Sequence, residues 1–182
     1  MAARVRPAHE GDMEAVASVY AHYVAETVAT FDEQAPDAAA WRARFLDLQE
    51  RGLPFLVADA GDGANSGESA ESGGGIAGYA LAAPWKPKSA YRFTVEDSIY
   101  LAPGRTGGGL GTELLRALIA ACGAAGLKSM VAVIADTPDR GRAAASVALH
   151  ERLGFSRTGR LTGVGYKHGA WLDTVLMQRT LD

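Results

Sequence analysis

An α/β domain built on one central sheet is the fold class this sequence predicts, and three observations point to it. β-rich runs alternate with helical periodicity along the chain, Leu114, Leu115, Leu118, Ile119 and Cys122 give Leu110 to Ala125 one apolar helical face, and Ser129 to Ala135 is a near-continuous apolar strand. The predicted order is two strands, a glycine-rich turn, a helix, a strand, a helix and two last strands, which fits one central sheet better than a uniform doubly wound one.

Arg4 to Ala8 reads as a short strand, and Asp12 as the N-cap of a helix carrying Val16, Val19, Tyr20 and Tyr23 at helical spacing. A second helix is expected after Pro36 and Asp37, where Trp41, Phe45 and Leu48 share a face. Phe55 to Ala58 is a buried strand, with residues 76 to 83 as its hairpin partner. Between them, Gly61 to Gly75 has no large apolar residue with which to pack and is expected to be a mobile hairpin loop. Tyr91 to Leu101 is long and β-rich, and leads through Ala102-Pro103-Gly104 into the glycine cluster. After the third helix and its strand, residues 143 to 153 form a helix, Phe155 begins a strand and residues 171 to 180 form the last one.

At 182 residues, 48% hydrophobic and 21% charged, the chain suits one domain over residues 1–182. A net charge of −3 with both signs dispersed argues against a nucleic-acid surface, which needs clustered Lys and Arg. No apolar run reaches the roughly 18 residues of a membrane span and the N-terminus lacks a signal-like segment, so a cytoplasmic protein is expected. The single cysteine, Cys122, lies on the apolar face with Leu114 and Leu118 and reads as core. The four histidines are scattered, and no metal site is expected.

The glycine cluster Gly107-Gly108-Gly109-Leu110-Gly111 follows a strand and opens an apolar helix, which gathers unpaired backbone N–H groups into an anion site. Glycine lets the backbone approach a phosphate closely. A P-loop would need Lys and Ser or Thr directly after the last glycine, and the dinucleotide pattern G-x-G-x-x-G fails because Thr112 takes its final position.

Here the residues carry a family resemblance. Val95 to Pro103, the glycine turn and Leu149-His-Glu-Arg-Leu-Gly-Phe155 resemble the GCN5-related N-acetyltransferases, the GNAT superfamily. Within it, Thr30-Phe-Asp-Glu33, Pro84 to Tyr91 and Gly165 to Asp173 are similar to the branch acting on phosphinothricin and methionine sulfoximine. The resemblance spans almost the whole chain. It implies a mixed central sheet flanked by helices, with a splayed, bulged strand at the cofactor site.

It also implies acetyl-CoA as acetyl donor, its pyrophosphate on the amides of Gly107, Gly108, Gly109, Leu110, Gly111 and Thr112, its pantetheine arm along Ile99, Tyr100 and Leu101, and Ser146 nearby. Two positions depart from the family pattern: Thr106 replaces the usual Arg or Gln, and Ala143 replaces an Asn three residues before Ser146. Arg105 and Arg142 are the candidate replacements.

Transfer to an amine needs a base, and Glu96 resembles the glutamate beside the acetyl group in the Val-Glu-x-Ser motif. Asp97 faces the other side of a regular strand, so both carboxylates line one pocket only if a bulge intervenes. A backbone N–H near Ser98 or Ile99 is the candidate oxyanion donor. His150 stands where many relatives have a proton-donating tyrosine, with a packed helical histidine as the equal alternative.

For the acceptor, Lys86, Pro87, Lys88, Tyr91 and Arg92 precede Glu96 and offer charge and hydrogen bonds to an anionic group. Phe31, Asp97 and Ser98 complete the expected acceptor site, and Lys167, His168 and Trp171 close it or meet a second subunit, since the resemblance implies a homodimer. The expected reaction is direct acetylation of a small amino-acid-like amine such as phosphinothricin or methionine sulfoximine. Another amine, including a protein N-terminus or lysine, and a non-catalytic acyl-CoA-binding module are the alternatives.

Overall fold

The computed structural model describes residues 4–60, 75–137 and 143–181. The strands are β1 (Val5–Pro7), β2 (Phe55–Asp59), β3 (Ile76–Pro84), β4 (Thr94–Leu101), β5 (Ser129–Asp136), β6 (Ser156–Lys167) and β7 (Ala170–Thr180). The helices are α1 (Met13–Glu26), α2 (Ala38–Glu50), α3 (Leu110–Ala124) and α4 (Ala144–Arg152). One seven-stranded sheet runs in the order β1-β2-β3-β4-β5-β7-β6, and β4·β5 is its parallel pair while the other neighbours are antiparallel. The sheet is therefore mixed, as expected.

Strand alternation divides the sheet between two cores. Phe55, Val57, Tyr79 and Leu81 pack under α1 and α2, against Val16, Tyr20, Trp41 and Phe45. Leu56, Ala80, Ala82 and Val95 pack on the other face, against Leu114, Leu115 and Leu118 of α3 and Val147 of α4. Cys122 is fully buried in this second core.

Several sequence expectations shift in detail. The side chain of Asp12 does not cap α1, because the chain enters that helix through a short 3-10 turn, Glu10–Asp12, and Asp12 is already helical at φ −78°, ψ −14°. Its carboxylate accepts instead from the His9 N–H at 2.8 Å and from Arg6 at 2.8 and 2.9 Å. Asp37 does cap α2, accepting from the Ala40 N–H at 2.8 Å. Ser89–Tyr91 form a second 3-10 turn, so β4 begins at Thr94 rather than at Tyr91. β6 is a 12-residue strand of which the sequence revealed only the start. Gly159, Gly163 and Gly165 interrupt its pattern, and its register against β7 slips between Arg157 and Gly159 and between Leu161 and Gly165. The hairpin loop expected over 61–75 lies, but for Gly75, outside the described residues.

β4 creates the opening. It pairs with β5 only from Thr94↔Ser129 to Asp97↔Ala132. Beyond that, β5 continues with β7 to Asp136↔Asp173, while β4 continues with β3 to Leu101↔Gly78. The two parallel strands thus diverge at their carboxyl ends, where open α/β sheets bind ligands. The β3·β4 register runs without a shift from Val95 to Leu101. Divergence, not an inserted residue, opens the site, and β4 keeps its alternation.

Candidate active site

The gap between β4 and β5 is the centre of a chamber of about 1120 Å³ that runs through the sheet from one helical layer to the other. On the α3 side it is lined by Thr106, Gly107, Gly109, Gly111, Thr112 and Ser146, and on the α1/α2 side by Tyr20, Thr30, Phe31, Arg44 and Glu96. A pocket of this size exceeds what a drug-sized ligand needs and suits two ligands meeting in the middle.

The α3 end is a backbone cradle. Gly107 and Gly109 have φ of +83° and +85°, a region L-residues avoid, and a Cβ at either would meet nothing within 4 Å. The space above both is therefore open. Gly109 caps α3 with no side-chain bond, and Thr112 and Glu113 return their N–H groups to its carbonyl at 2.9 and 3.2 Å. Among the described residues the amides of Gly107 to Gly111 have no partner, which leaves five donors at the helix's positive end. Thr112 differs from expectation only in that its amide is used internally. The side chain of Leu110 enters the core rather than the chamber, and neither it nor Gly108 lines the cavity.

The β4 edge can be read residue by residue. The Ala102 N–H bonds Ala77 and the Thr94 carbonyl bonds the Trp85 N–H, so even-numbered residues direct their backbone to β3. The Phe93 carbonyl receives Lys128 and Ser129, so odd-numbered residues face the β5 side. Leu101 faces that side too, and the Tyr23 hydroxyl donates to its carbonyl at 2.8 Å and takes its N–H at 3.4 Å. Ile99 is left with its N–H and C=O toward the gap. Tyr100 instead turns its ring into an aromatic group with Tyr20, Tyr23 and Tyr79, at centroid distances of 5.1, 4.9 and 5.5 Å.

Alternation sets the two carboxylates on opposite faces. Glu96 points to the α1/α2 side with Tyr100, is partly buried, and has its pKa raised, first by burial and then by the charge of Asp97, against the pull of Lys86 and Arg44. Asp97 points to α4, where its Oδ2 lies 3.0 Å from His150 Nε2 with both side chains 2% exposed. His150 Nδ1 sits 2.7 Å from the Ser146 carbonyl, and its ring packs edge-on against Phe155 at 4.9 Å. Burial lowers the His150 pKa, but the hydrogen bond and charge of Asp97, with the Ser146 carbonyl, raise it overall. The Cys122 thiol is pushed up to about 12 by burial and by Asp97, so it stays un-ionised at neutral pH.

The acceptor end is assembled from distant segments. Lys167, 3% exposed, donates to the Thr30 carbonyl at 2.9 Å, and burial lowers its pKa. The ring of Phe31 packs against Gly165, where a Cβ would stand 2.5 Å from it. Tyr20 bridges Thr30 and Asp32 at 2.6 and 2.7 Å. The exposed guanidinium of Arg44 stacks over Trp41 at 5.2 Å and lines the chamber.

Of the expected acceptor residues, Phe31, Asp97 and Ser98 line the chamber. Lys86, Pro87, Lys88, Tyr91 and Arg92 do not. They occupy the β3–β4 turn, where Lys86 stacks on Trp85 and Arg92 on Phe93, each at 4.4 Å. Lys86 still reaches Glu96 electrostatically. Arg44 was missed because one arginine on a helix bearing Trp41, Phe45 and Leu48 has no motif around it. Ala143 is buried, with its N–H 3.3 Å from Asp136 Oδ1, and Arg105 is exposed and outside the lining. Arg142 lies outside the described residues.

Comparisons with known proteins agree with this geometry. Residues 16–155 match the Acetyltransferase (GNAT) family. The chain is 41% identical over 181 residues to a phosphinothricin N-acetyltransferase of Alcaligenes faecalis, covering 100% of this chain and 84% of the relative. It is 38% identical over 182 residues to an L-methionine sulfoximine/L-methionine sulfone acetyltransferase of Pseudomonas aeruginosa, covering 100% and 96%. Among solved structures, it superimposes on a phosphinothricin acetyltransferase from Sinorhizobium meliloti in complex with acetyl-CoA with a TM-score of 0.87 at 39% identity, covering 100% and 89% of the two chains. With an amide cradle, a splayed parallel pair and a half-buried glutamate beside the gap, the chain belongs to the GNAT family of acetyltransferases.

Proposed function

We propose that the protein transfers the acetyl group of acetyl-CoA to the α-amino group of a small amino acid such as phosphinothricin or methionine sulfoximine. The observation that carries this reading is Glu96: a carboxylate with a raised pKa, set where the cradle-side and acceptor-side halves of one chamber meet. The names of the A. faecalis and P. aeruginosa relatives support the acceptor class.

The amides of Gly107 to Gly111 hold the pyrophosphate, mainly through the backbone, since Thr106 offers no guanidinium. Ile99 receives the pantetheine arm through the N–H and C=O that its strand leaves unpaired, as extended peptides pair with a sheet edge. The donor supplies an activated thioester, and the protein does the rest. Glu96 takes the proton released by the attacking nitrogen, directly or through water, and its raised pKa keeps it closer to that task's pH than an exposed carboxylate. Ser146 borders the donor side, and His150 is held behind it. At the acceptor end, Arg44 meets an anionic group of the substrate, Lys86 adds charge from the turn, and Phe31 forms part of the wall, while Asp97 and Ser98 line the chamber nearer its middle.

We further infer a homodimer. Its support is an exposed apolar ridge on β6 and β7, where Leu161, Val164, Tyr166 and Trp171 are 46 to 62% exposed.

A panel of amino acids and a peptide, incubated with acetyl-CoA and read by mass spectrometry and free-thiol release, tests the reading. N-acetylated amino acids with stoichiometric thiol release are expected. Acetylation of the peptide alone removes the small-acceptor assignment, and calorimetric binding of acetyl-CoA without turnover on any amine makes the protein a binding module.

A further inference from the structure

The chamber wall holds a buried pair that the transfer chemistry above does not use. His150 presents each ring nitrogen to an oxygen: Nδ1 to the Ser146 carbonyl at 2.7 Å and Nε2 to Asp97 Oδ2 at 3.0 Å. A carbonyl oxygen only accepts, so Nδ1 carries hydrogen. A neutral imidazole would then turn the Nε2 lone pair toward the carboxylate, and that contact survives only with a proton between Nε2 and Oδ2. Imidazole is the more basic partner, so the proton resides on it. Both side chains are 2% exposed, which shields both bonds from bulk solvent.

Two other ionisable groups sense the pair: the charge of Asp97 acts on Cys122 of α3, un-ionised at neutral pH, and on Glu96 on the opposite face of β4. Phe155 covers the ring edge-on. Asp97 also lines the chamber. Among the described residues the His150 ring is the hydrogen-bond partner of its carboxylate, so the histidine anchors it.

We propose that Asp97 is a positioning residue for acetyl transfer: by clamping Nε2 it holds His150 as an imidazolium of fixed orientation at the chamber wall. This rests on the acetyl-transfer reading for its kinetic consequence, not for the state of the pair. A proton is thereby kept beside the donor site across the pH range in which a free histidine would lose it. The acid limb of the pH profile then belongs to Glu96, whose pKa burial raises.

The test has two readouts. In the ligand-free enzyme, 15N-detected NMR of the His150 ring is expected to show both nitrogens protonated from about pH 6 to 9, where an unpaired imidazole titrates near 6.5. In Asp97→Asn, which keeps the shape and removes the charge, the ring is expected to be neutral at pH 8. Turnover of this variant should fall about tenfold at pH 8 and approach the wild-type value near pH 6, with the KM for acetyl-CoA within about twofold, as lost pre-organisation rather than lost binding requires. Asp97→Ser serves as the second variant if the amide perturbs folding, checked by thermal melting. A wild-type ring that titrates between about pH 6 and 8, or an Asp97→Asn enzyme with the wild-type pH profile, overturns the proposal. Absence of acetyl transfer by the wild type would remove the proposed function while leaving the NMR result to decide the pair.

Discussion

The two ends of the chamber are built from different materials. The donor end is backbone: the unpaired edge of Ile99 and the free amides of Gly107 to Gly111 come from one continuous stretch of chain. The acceptor end is side chain, and its parts arrive from the loop after α1, from Arg44 on α2, and from Gly165 and Lys167 on β6. A backbone site tolerates changes of residue type as long as its φ angles survive, whereas a side-chain site changes its ligand with one substitution. The shared donor and variable acceptor of such enzymes follow from that division.

Four substitutions test the contrast. The largest effect is expected at the junction: Glu96→Gln should lower kcat by about 10² to 10³, the range for loss of a general base, and leave the KM for acetyl-CoA unchanged in steady-state kinetics. Next, Gly109→Val forces a β-branched residue to φ +85°, and should raise the KM for acetyl-CoA by about tenfold without altering that for the amine. Arg44→Gln should do the reverse, raising the acceptor KM about fivefold to tenfold, the value of a charge-assisted contact. It also carries a pH signature. Arg44 pulls the Glu96 pKa down, so its loss lets that pKa rise further, and the acid limb of the kcat/KM profile should move to higher pH. The smallest change is Thr106→Arg, which adds an exposed cation beside the cradle and should lower the KM for acetyl-CoA about twofold to threefold, in line with surface charge pairs.

The glycine turn with its free amides was legible in the sequence because a glycine cluster between a strand and an apolar helix is itself a local geometry. The acceptor end was not. Lys86 to Arg92 looked like an acceptor patch because they precede Glu96, but the β3–β4 turn carries them onto the surface and two of them fold back over their own aromatic neighbours. Arg44 faces the chamber only because α2 packs beside the far end of β4, a tertiary fact with no sequence signature. The resemblance implied a bulge in β4, but the strand keeps its alternation: Glu96 and Asp97 lie on opposite faces and still line one chamber because it passes through the sheet, and the partner of Asp97, 53 residues further on, came only with the fold. The strands were found where apolar runs are continuous. β6 was missed over most of its length because three glycines and two register slips blur the period that marks a strand.

The bond from Lys167 to the Thr30 carbonyl joins residues 137 positions apart, and Gly165 seats Phe31 over a similar span. Contacts of such sequence separation close late in folding, so the loop after α1 is pinned only once the β6–β7 hairpin has formed.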